Sequence, residues 1–302
     1  MKTVVVGSIN MDLIFKVNRL PLQGETLSAS SFSSAGGGKG ANQAISCARL
    51  GVETYMVGCL GCDPFGKELL ELLKNDGVNV EFVRELKSVP TGLAVILLLP
   101  DGRNSIVISP GANHKLSLED LYRAKDVLVN AAVLLLQLEI LPEVVLEAAK
   151  IAKEGGATII LDPAPVKELP DEIWSFIDIA LPNDVELQLL TGEEDLLKGG
   201  EKLLNWGVKR VITTLGDKGA LLIDRDGFKT YPAVKVDVVD STAAGDAFAG
   251  GLASSLARGW ELDKAVKFAI CAGALACTKL GAQPSLPYFE DTMRLYEAIY
   301  KG

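Results

Sequence analysis

The chain has 302 residues, with 30 Lys and Arg against 39 Asp and Glu and a net charge of −9. With 48% hydrophobic and 23% charged residues, its composition is globular and excludes a disordered or collagen-like chain; the length suits two domains or one large α/β unit. The acidic balance argues against a nucleic-acid partner and against an anionic membrane surface, because both reward basic side chains, but a small phosphorylated ligand needs only a local cluster of donors.

The N-terminal run Thr3–Val6 reads as a strand; it is too short for a signal-peptide core, and no small-residue cleavage site follows. Leu13–Ser34 alternates apolar residues (Leu13, Phe15, Val17) and then turns through Pro21 and Gly24. Gly40–Leu50 reads as a helix. Cys59 and Cys62 form a CxxC, but no second pair exists and the single histidine, His114, falls in a loop-like stretch. The five cysteines therefore read as free and mostly buried, not as a zinc or redox site. Thr91–Leu99 and Asn104–Ser109 flank Pro100–Arg103 as a hairpin. Leu93–Leu99 is the longest apolar run, far below the ~20 residues that span a bilayer, so a cytoplasmic protein is expected.

From residue 131 a rhythm sets in. Apolar runs at Ala131–Leu138, Ala157–Leu161, Ile177–Leu181 and Val208–Leu215 alternate with helical stretches, among them Glu143–Glu154. Two long helical stretches, about Ala243–Arg258 and Leu262–Leu280, close the chain. Short buried strands alternating with helices predict βαβ units and an α/β fold around a mostly parallel sheet. Ligands of such sheets bind beyond the carboxyl ends of the strands. The polar residues there are Asn10, Asp12, Glu139, Asp162, Asn183, Glu186 and Thr214, with Gly216.

Three clusters carry chemistry. Asn10 and Asp12, two apart, share one face of an extended segment, and an amide beside a carboxylate suits vicinal hydroxyls. Gly36-Gly37-Gly38-Lys39-Gly40-Ala41-Asn42 lets backbone approach a ligand and adds donors at a helix start. It is not a Walker A loop, since Ser33 holds the first glycine's place and Gly40 follows Lys39, and no strand directly before it supports a dinucleotide fingerprint. In the third, Asp240–Phe248, Ser241 or Thr242 caps a helix. The small residues Ala243, Ala244 and Gly245 leave amides for an anion, and Asp246 lies in the first turn, placed to take a proton from an attacking hydroxyl.

These motifs resemble the ribokinase-like (PfkB) carbohydrate kinases: Gly37–Ala44 is similar to the family's first signature and Asp240–Phe248 to its second, and the likeness runs from residue 4 to about 290. The resemblance implies a three-layer αβα sandwich, residues 1–302 forming one kinase unit, with a β-sheet lid inserted at about 12–35 and 91–110 that also builds a homodimer. It implies ATP-dependent, Mg2+-assisted phosphorylation of D-ribose at its 5-hydroxyl; kinases of fructose, 2-keto-3-deoxygluconate, deoxyribose or adenosine are the alternatives. Carried over residue by residue, Asn10, Asp12, Gly38, Lys39, Asn42 and Glu139 hold the sugar. Asp246 is the base, and the amides of Ala243, Ala244 and Gly245 form the anion hole. ATP meets Asn183, Thr214, Gly216, Asp217, Gly219 and Gly245. Glu186 organises Mg2+ through water, and Asp240, Thr242, Ala276, Lys279, Gly281 and Ser285 ring an activating K+. Four positions depart from the family: Ser241 stands where Thr is commoner, Lys279 in place of Arg, Ile270 where some members place a histidine near the adenine, and Asp162 in place of a frequent Asn before Pro-Ala-Pro. The resemblance assigns Asp162 no catalytic role. A sugar or nucleotide sensor on the same fold would be expected to lack the base or the anion nest, and both are present here.

Overall fold

The computed structural model describes residues 1–301. In chain order the strands are β1 (Lys2–Val6), β2 (Asn10–Lys16), β3 (Ser31–Gly37), β4 (Glu53–Gly61), β5 (Asn79–Leu86), β6 (Gly92–Leu98), β7 (Asn104–Ser109), β8 (Val133–Leu136), β9 (Thr158–Leu161), β10 (Ile179–Ala180), β11 (Arg210–Thr214), β12 (Ala220–Asp224) and β13 (Gly227–Tyr231). The helices are α1 (Lys39–Arg49), α2 (Pro64–Asn75), α3 (Leu118–Arg123), α4 (Lys125–Val129), α5 (Pro142–Glu154), α6 (Asp184–Thr191), α7 (Leu196–Trp206), α8 (Ala244–Ala257), α9 (Leu262–Ala276) and α10 (Phe289–Tyr300).

Nine strands form one sheet in the order β13-β12-β11-β10-β9-β8-β1-β4-β5. All its pairings are parallel except β11–β12 and β12–β13 at one edge, so the expected mostly parallel α/β sheet is what the chain builds. Strand side chains alternate between faces, and the apolar runs of the central strands are divided accordingly. Val5, Val133, Leu135 and Ile160 enter one core with α1, α8 and α9, while Val4, Val6, Leu134, Leu136, Ile159 and Leu161 enter the other with α5 and α7. A second sheet, ordered β3-β2-β6-β7, is built from the two irregular β segments; against expectation β3 leads directly into the glycine loop, but it pairs antiparallel with β2 in this small sheet and is no part of a βαβ unit.

Some elements differ from expectation. The run Ile177–Leu181 contributes only the two-residue strand β10, although Asp178 and Leu181 still donate to Ile159 and Leu161 at 3.0 and 2.8 Å. α9 stops at Ala276, not Leu280: the Cys277 carbonyl is taken by the amides of Val239 and Asp240, and Thr278 and Lys279 close short turns. β4, β5 and the β12–β13 hairpin lie outside the expected rhythm, and α10 follows the two helices expected to close the chain; β5 is an edge strand with no fully buried residue, so it lacks the buried-strand pattern. All five cysteines are free, Cys59 buried in β4 and Cys62 exposed beyond it. Among the described residues no helix is long and apolar enough to cross a membrane.

Candidate active site

β1 lies between β8 and β4, and the chain winds outward from this pair in opposite directions. The carboxyl ends of β1 and β8 therefore open at the topological switch point of the sheet, where the crossovers leave a crevice. Beyond β1 come Ser8, Asn10 and Asp12, and beyond β8 come Gln137 and Glu139. Glu139 Oε2 accepts from Ser8 Oγ and from the amide of Lys39 at 3.1 Å, which ties both strand ends to the start of α1.

The glycines before α1 are set by close approach. Gly38, the N-cap, has φ +86°, and a Cβ there would lie 2.7 Å from the Asn10 amide. A Cβ on Gly37 would overlap the Asp12 carboxylate, and one on Gly40 would lie 2.6 Å from the Ser8 amide. These contacts press the loop onto β2 and leave the acid and amide side chains facing one space. Asn10, 2% exposed, accepts from Asn113 Nδ2 at 2.6 Å, and Asn113 Oδ1 in turn accepts from the Ile9 amide at 2.9 Å. Burial, reinforced by the like charges of Glu139 and Asp246, pushes the Asp12 carboxyl up to about 7.

The seam between α1 and α8 aligns the Asp246 carboxylate. A Cβ on Gly250 would overlap Ser46 Oγ, so the two helices touch at these residues. One turn earlier on each helix, Asn42 and Gln43 meet Asp246. Asn42 Nδ2 donates to Asp246 Oδ2 at 2.9 Å, and Gln43 Nε2 donates to Oδ1 at 3.1 Å. Gln43 Nε2 also donates to Asp162 Oδ2 at 2.8 Å, while Gln43 Oε1 accepts from Gln137 Nε2 at 2.6 Å. Lys39 Nζ donates to the same Asp162 oxygen at 3.1 Å. Burial pushes Asp246 up to about 6; Lys39 pulls it down, Asp162 pushes it up, and the Asn42 and Gln43 amides favour the charged form. Burial acts against the Lys39 ammonium, but Asp162, Asp246, Glu186 and Glu139 together hold its pKa above the ordinary lysine value.

Asp246 stands in the first turn of α8, as the sequence suggests, but the cap differs. Ala243 occupies the N-cap position without a side-chain bond. Thr242 is instead turned back: its amide and hydroxyl both donate to Asp240 Oδ1, at 3.0 and 2.5 Å. The Ala244 amide donates to the Ser241 carbonyl at 3.1 Å, whereas among the described residues the Gly245 amide has no protein partner. A Cβ on Gly245 would meet open space. That space is a cleft of ≈ 680 Å³ walled by Val234, Val236, Val238, Phe248, Ile270 and Ala274. Thr214, Gly216, Asp217, Gly219, Ala244 and Gly245 also line it; Ala243 lies buried beneath, and Asn183 is outside the lining.

Asn183 and Glu186 form a reciprocal cap at the start of α6. The Glu186 amide donates to Asn183 Oδ1 and the Asn183 amide to Glu186 Oε2, both at 2.8 Å. Burial raises the Glu186 carboxyl pKa. Asp240 joins the two loops named for the monovalent cation, since its Oδ2 accepts from the Gly281 amide at 2.9 Å. Burial acts to raise the Asp240 pKa, but the Thr242 hydroxyl and the Gly281 and Thr242 amides outweigh it and hold the group below its ordinary value. Ala276 O accepts from the Lys279 amide at 3.4 Å, Ser285 Oγ donates to the Ala282 carbonyl at 2.8 Å, and the Lys279 side chain is exposed.

Sequence reasoning brought Asn10, Asp12, Lys39, Asn42, Glu139 and Asp246 to one place. It passed over Gln43, Gln137, Asn113 and Ser8, and it gave Asp162 no part. Gln43 and Gln137 had a local signal: one sits a helical turn after Lys39, and the other is a buried amide inside an apolar run. Asn113 had none, because its partners are about a hundred positions away.

A family model described as pfkB family carbohydrate kinase matches residues 1–288. The chain is 36% identical to a ribokinase of Haemophilus influenzae over 298 residues, covering 97% of each chain. It is 36% identical to a deoxyribokinase of Salmonella typhi, with 96% of this chain and 97% of that one covered. The solved structure of an Arabidopsis thaliana ribokinase complexed with ribose and ATP superposes with a TM-score of 0.91 at 37% identity, covering 98% of both chains.

Proposed function

The chain belongs to the pfkB family of carbohydrate kinases, and we propose that it transfers the γ-phosphoryl group of ATP to the 5-hydroxyl of D-ribose, giving D-ribose 5-phosphate and ADP. One observation carries the reading. Asn10, Asp12, Asn42 and Glu139, the residues suited to sugar hydroxyls, converge beside a buried Asp246 at the N-terminus of α8, next to an apolar cleft large enough for a nucleotide.

The geometry supports a direct displacement. Asp12 and Asn10 accept and donate to ring hydroxyls, and Lys39 and Glu139 close the opposite side. Asp246 takes the proton of the primary hydroxyl as its oxygen attacks the γ-phosphorus; the bond to the β-bridging oxygen breaks and ADP leaves. The charge growing on the transferred group meets the N-terminus of α8, where the amides of Ala243, Ala244 and Gly245 would form the anion hole; the Ala244 amide donates to the Ser241 carbonyl, and the Gly245 amide is free of it. Val234, Val236, Phe248 and Ile270 cover the base, which is thus held by apolar contact without a histidine.

Among the described residues no group of three acidic or soft ligands is placed to hold a metal. Mg2+ would arrive with the nucleotide and take most of its oxygens from phosphate and water, with Glu186 near it through water. Mg2+ would neutralise the phosphate oxygens there. The loops 240–242 and 276–285, joined through Asp240 and Gly281, suit K+, bound largely by carbonyl oxygens. The exposed Ile106, Val107 and Ile108 of β7 and Phe32 of β3 suit a homodimer through the small sheet, which would act as the lid.

ADP release from Mg·ATP, with and without K+, across ribose, deoxyribose, fructose, ketodeoxygluconate and adenosine tests this. Ribose well above the others, with stimulation by K+, is expected. The comparable identity to a deoxyribokinase makes deoxyribose the sharpest competitor. Its preference would send the substrate assignment back to Asn10, Lys39, Asn42 and Glu139 while leaving Asp246 in place.

A further inference from the structure

We propose that Asp162 is a positioning residue of the phosphoryl transfer: it anchors Lys39 and Gln43 and through them sets the charge and orientation of Asp246. Asp162 is 6% exposed and accepts from both Lys39 Nζ (3.1 Å) and Gln43 Nε2 (2.8 Å) on one oxygen. The two hydrogens of Gln43 Nε2 are thereby divided between Asp162 and Asp246. The amide cannot turn over, because its Oε1 is held by Gln137 Nε2 at 2.6 Å. Gln43 is thus a rigid bridge, and the carboxylate oxygens it joins lie no more than about 6 Å apart, a range at which one charge shifts another's protonation.

The electrostatic role follows from the neighbours. Asp246 faces Lys39 from α1, Asp162 beyond β9 and Asp12 from β2, while Glu139 and Glu186 act on Lys39. An unopposed Lys39 would make Asp246 a weaker base. Asp162 takes up that ammonium and adds its own negative charge, so the base stays proton-hungry near neutral pH, where general-base transfer is efficient. An asparagine at 162 would keep the shape and lose the charge.

The inference rests on Asp246 being the base, and the experiment separates the two. The pH dependence of kcat/KM for ribose is measured for the parent protein, Asp162→Asn, the smaller neutral Asp162→Ser, and Asp246→Asn, with folding checked by thermal melting. The acid limb is expected to move down by about one pH unit in both Asp162 variants, with kcat/KM on the plateau roughly tenfold lower. A merely structural role would lower the plateau without moving the limb. An unmoved limb in folded Asp162→Asn or Asp162→Ser, with Asp246→Asn inactive, overturns the role of Asp162 alone. Near-normal turnover by Asp246→Asn overturns the base assignment and the inference with it.

Discussion

The two sides of the candidate site are built from different materials. The sugar side is a chain of buried polar side chains from elements far apart in sequence: Asn113 to Asn10, Ser8 to Glu139, and Gln137 to Gln43 to Asp162 and Asp246. The nucleotide side is an apolar wall with a free backbone amide and a glycine facing open space. On the proposed reading, one side would take hydroxyls and hold acids in place, and the other would accommodate a flat base and a phosphate tail. Burial on the polar side disfavours the anionic forms of Asp12 and Asp246.

The largest effect should come from the polar side. Asp246→Asn is expected to lower kcat by about 10²–10⁴, with ribose binding, followed by calorimetry, largely kept. Loss of binding instead would make the residue a sugar ligand only.

Asp12→Asn should raise the KM for ribose by about 10–100-fold, the loss of a charged hydrogen bond. It should also stabilise the sugar-free protein. A carboxyl whose folded pKa lies above its unfolded value contributes stability below about pH 4 that is lost as pH rises through about 7. At pH 8 the variant should therefore melt higher, by roughly 1–3 kcal/mol, and the difference should vanish near pH 4. Equal melting at both pH values would remove the idea that the empty polar side is strained.

Gly250→Ala tests the seam between the two sides. Its Cβ would push α8 off Ser46, so stability should fall by about 1–3 kcal/mol and kcat should drop as Asn42 and Gln43 lose Asp246. A melting loss with unchanged kcat would separate the seam from the base. Gly245→Ala should give the smallest effect and the opposite balance. Its Cβ meets no protein atom, so the helix should gain roughly 0.5–1 kcal/mol while the KM for ATP rises several-fold. An unchanged KM would mean that phosphate does not approach this turn.

The backbone part of the nucleotide side was legible in the sequence, because Ala243–Asp246 and Thr214–Gly219 are contiguous, but its apolar wall of Val234, Val236, Val238, Phe248 and Ala274 was not. Even there the local cap was misplaced, since Thr242 donates to Asp240, whose other oxygen is held by Gly281 from the far end of the chain. On the sugar side the ligating residue types could be named one by one, but not the bonds that orient them. Lys39 and Asp162 are separated by 123 positions and Gln43 and Asp246 by 203, and nothing local to either residue announces such a pair.

The sequence by itself determined the mostly parallel α/β sheet and the residue types that gather at its crevice. Strand runs, helical periods and small-residue turns are local, and they hold whichever partners the elements later find. Only the tertiary structure decided the partnerships. Winding the chain both ways from β1 and β8 placed Asp162 within a hydrogen bond of Lys39, and the contact of Gly250 with Ser46 brought Gln43 to Asp246. Proton affinities depend on distance and burial, and both arise only when strands and helices from the whole chain meet at one crevice.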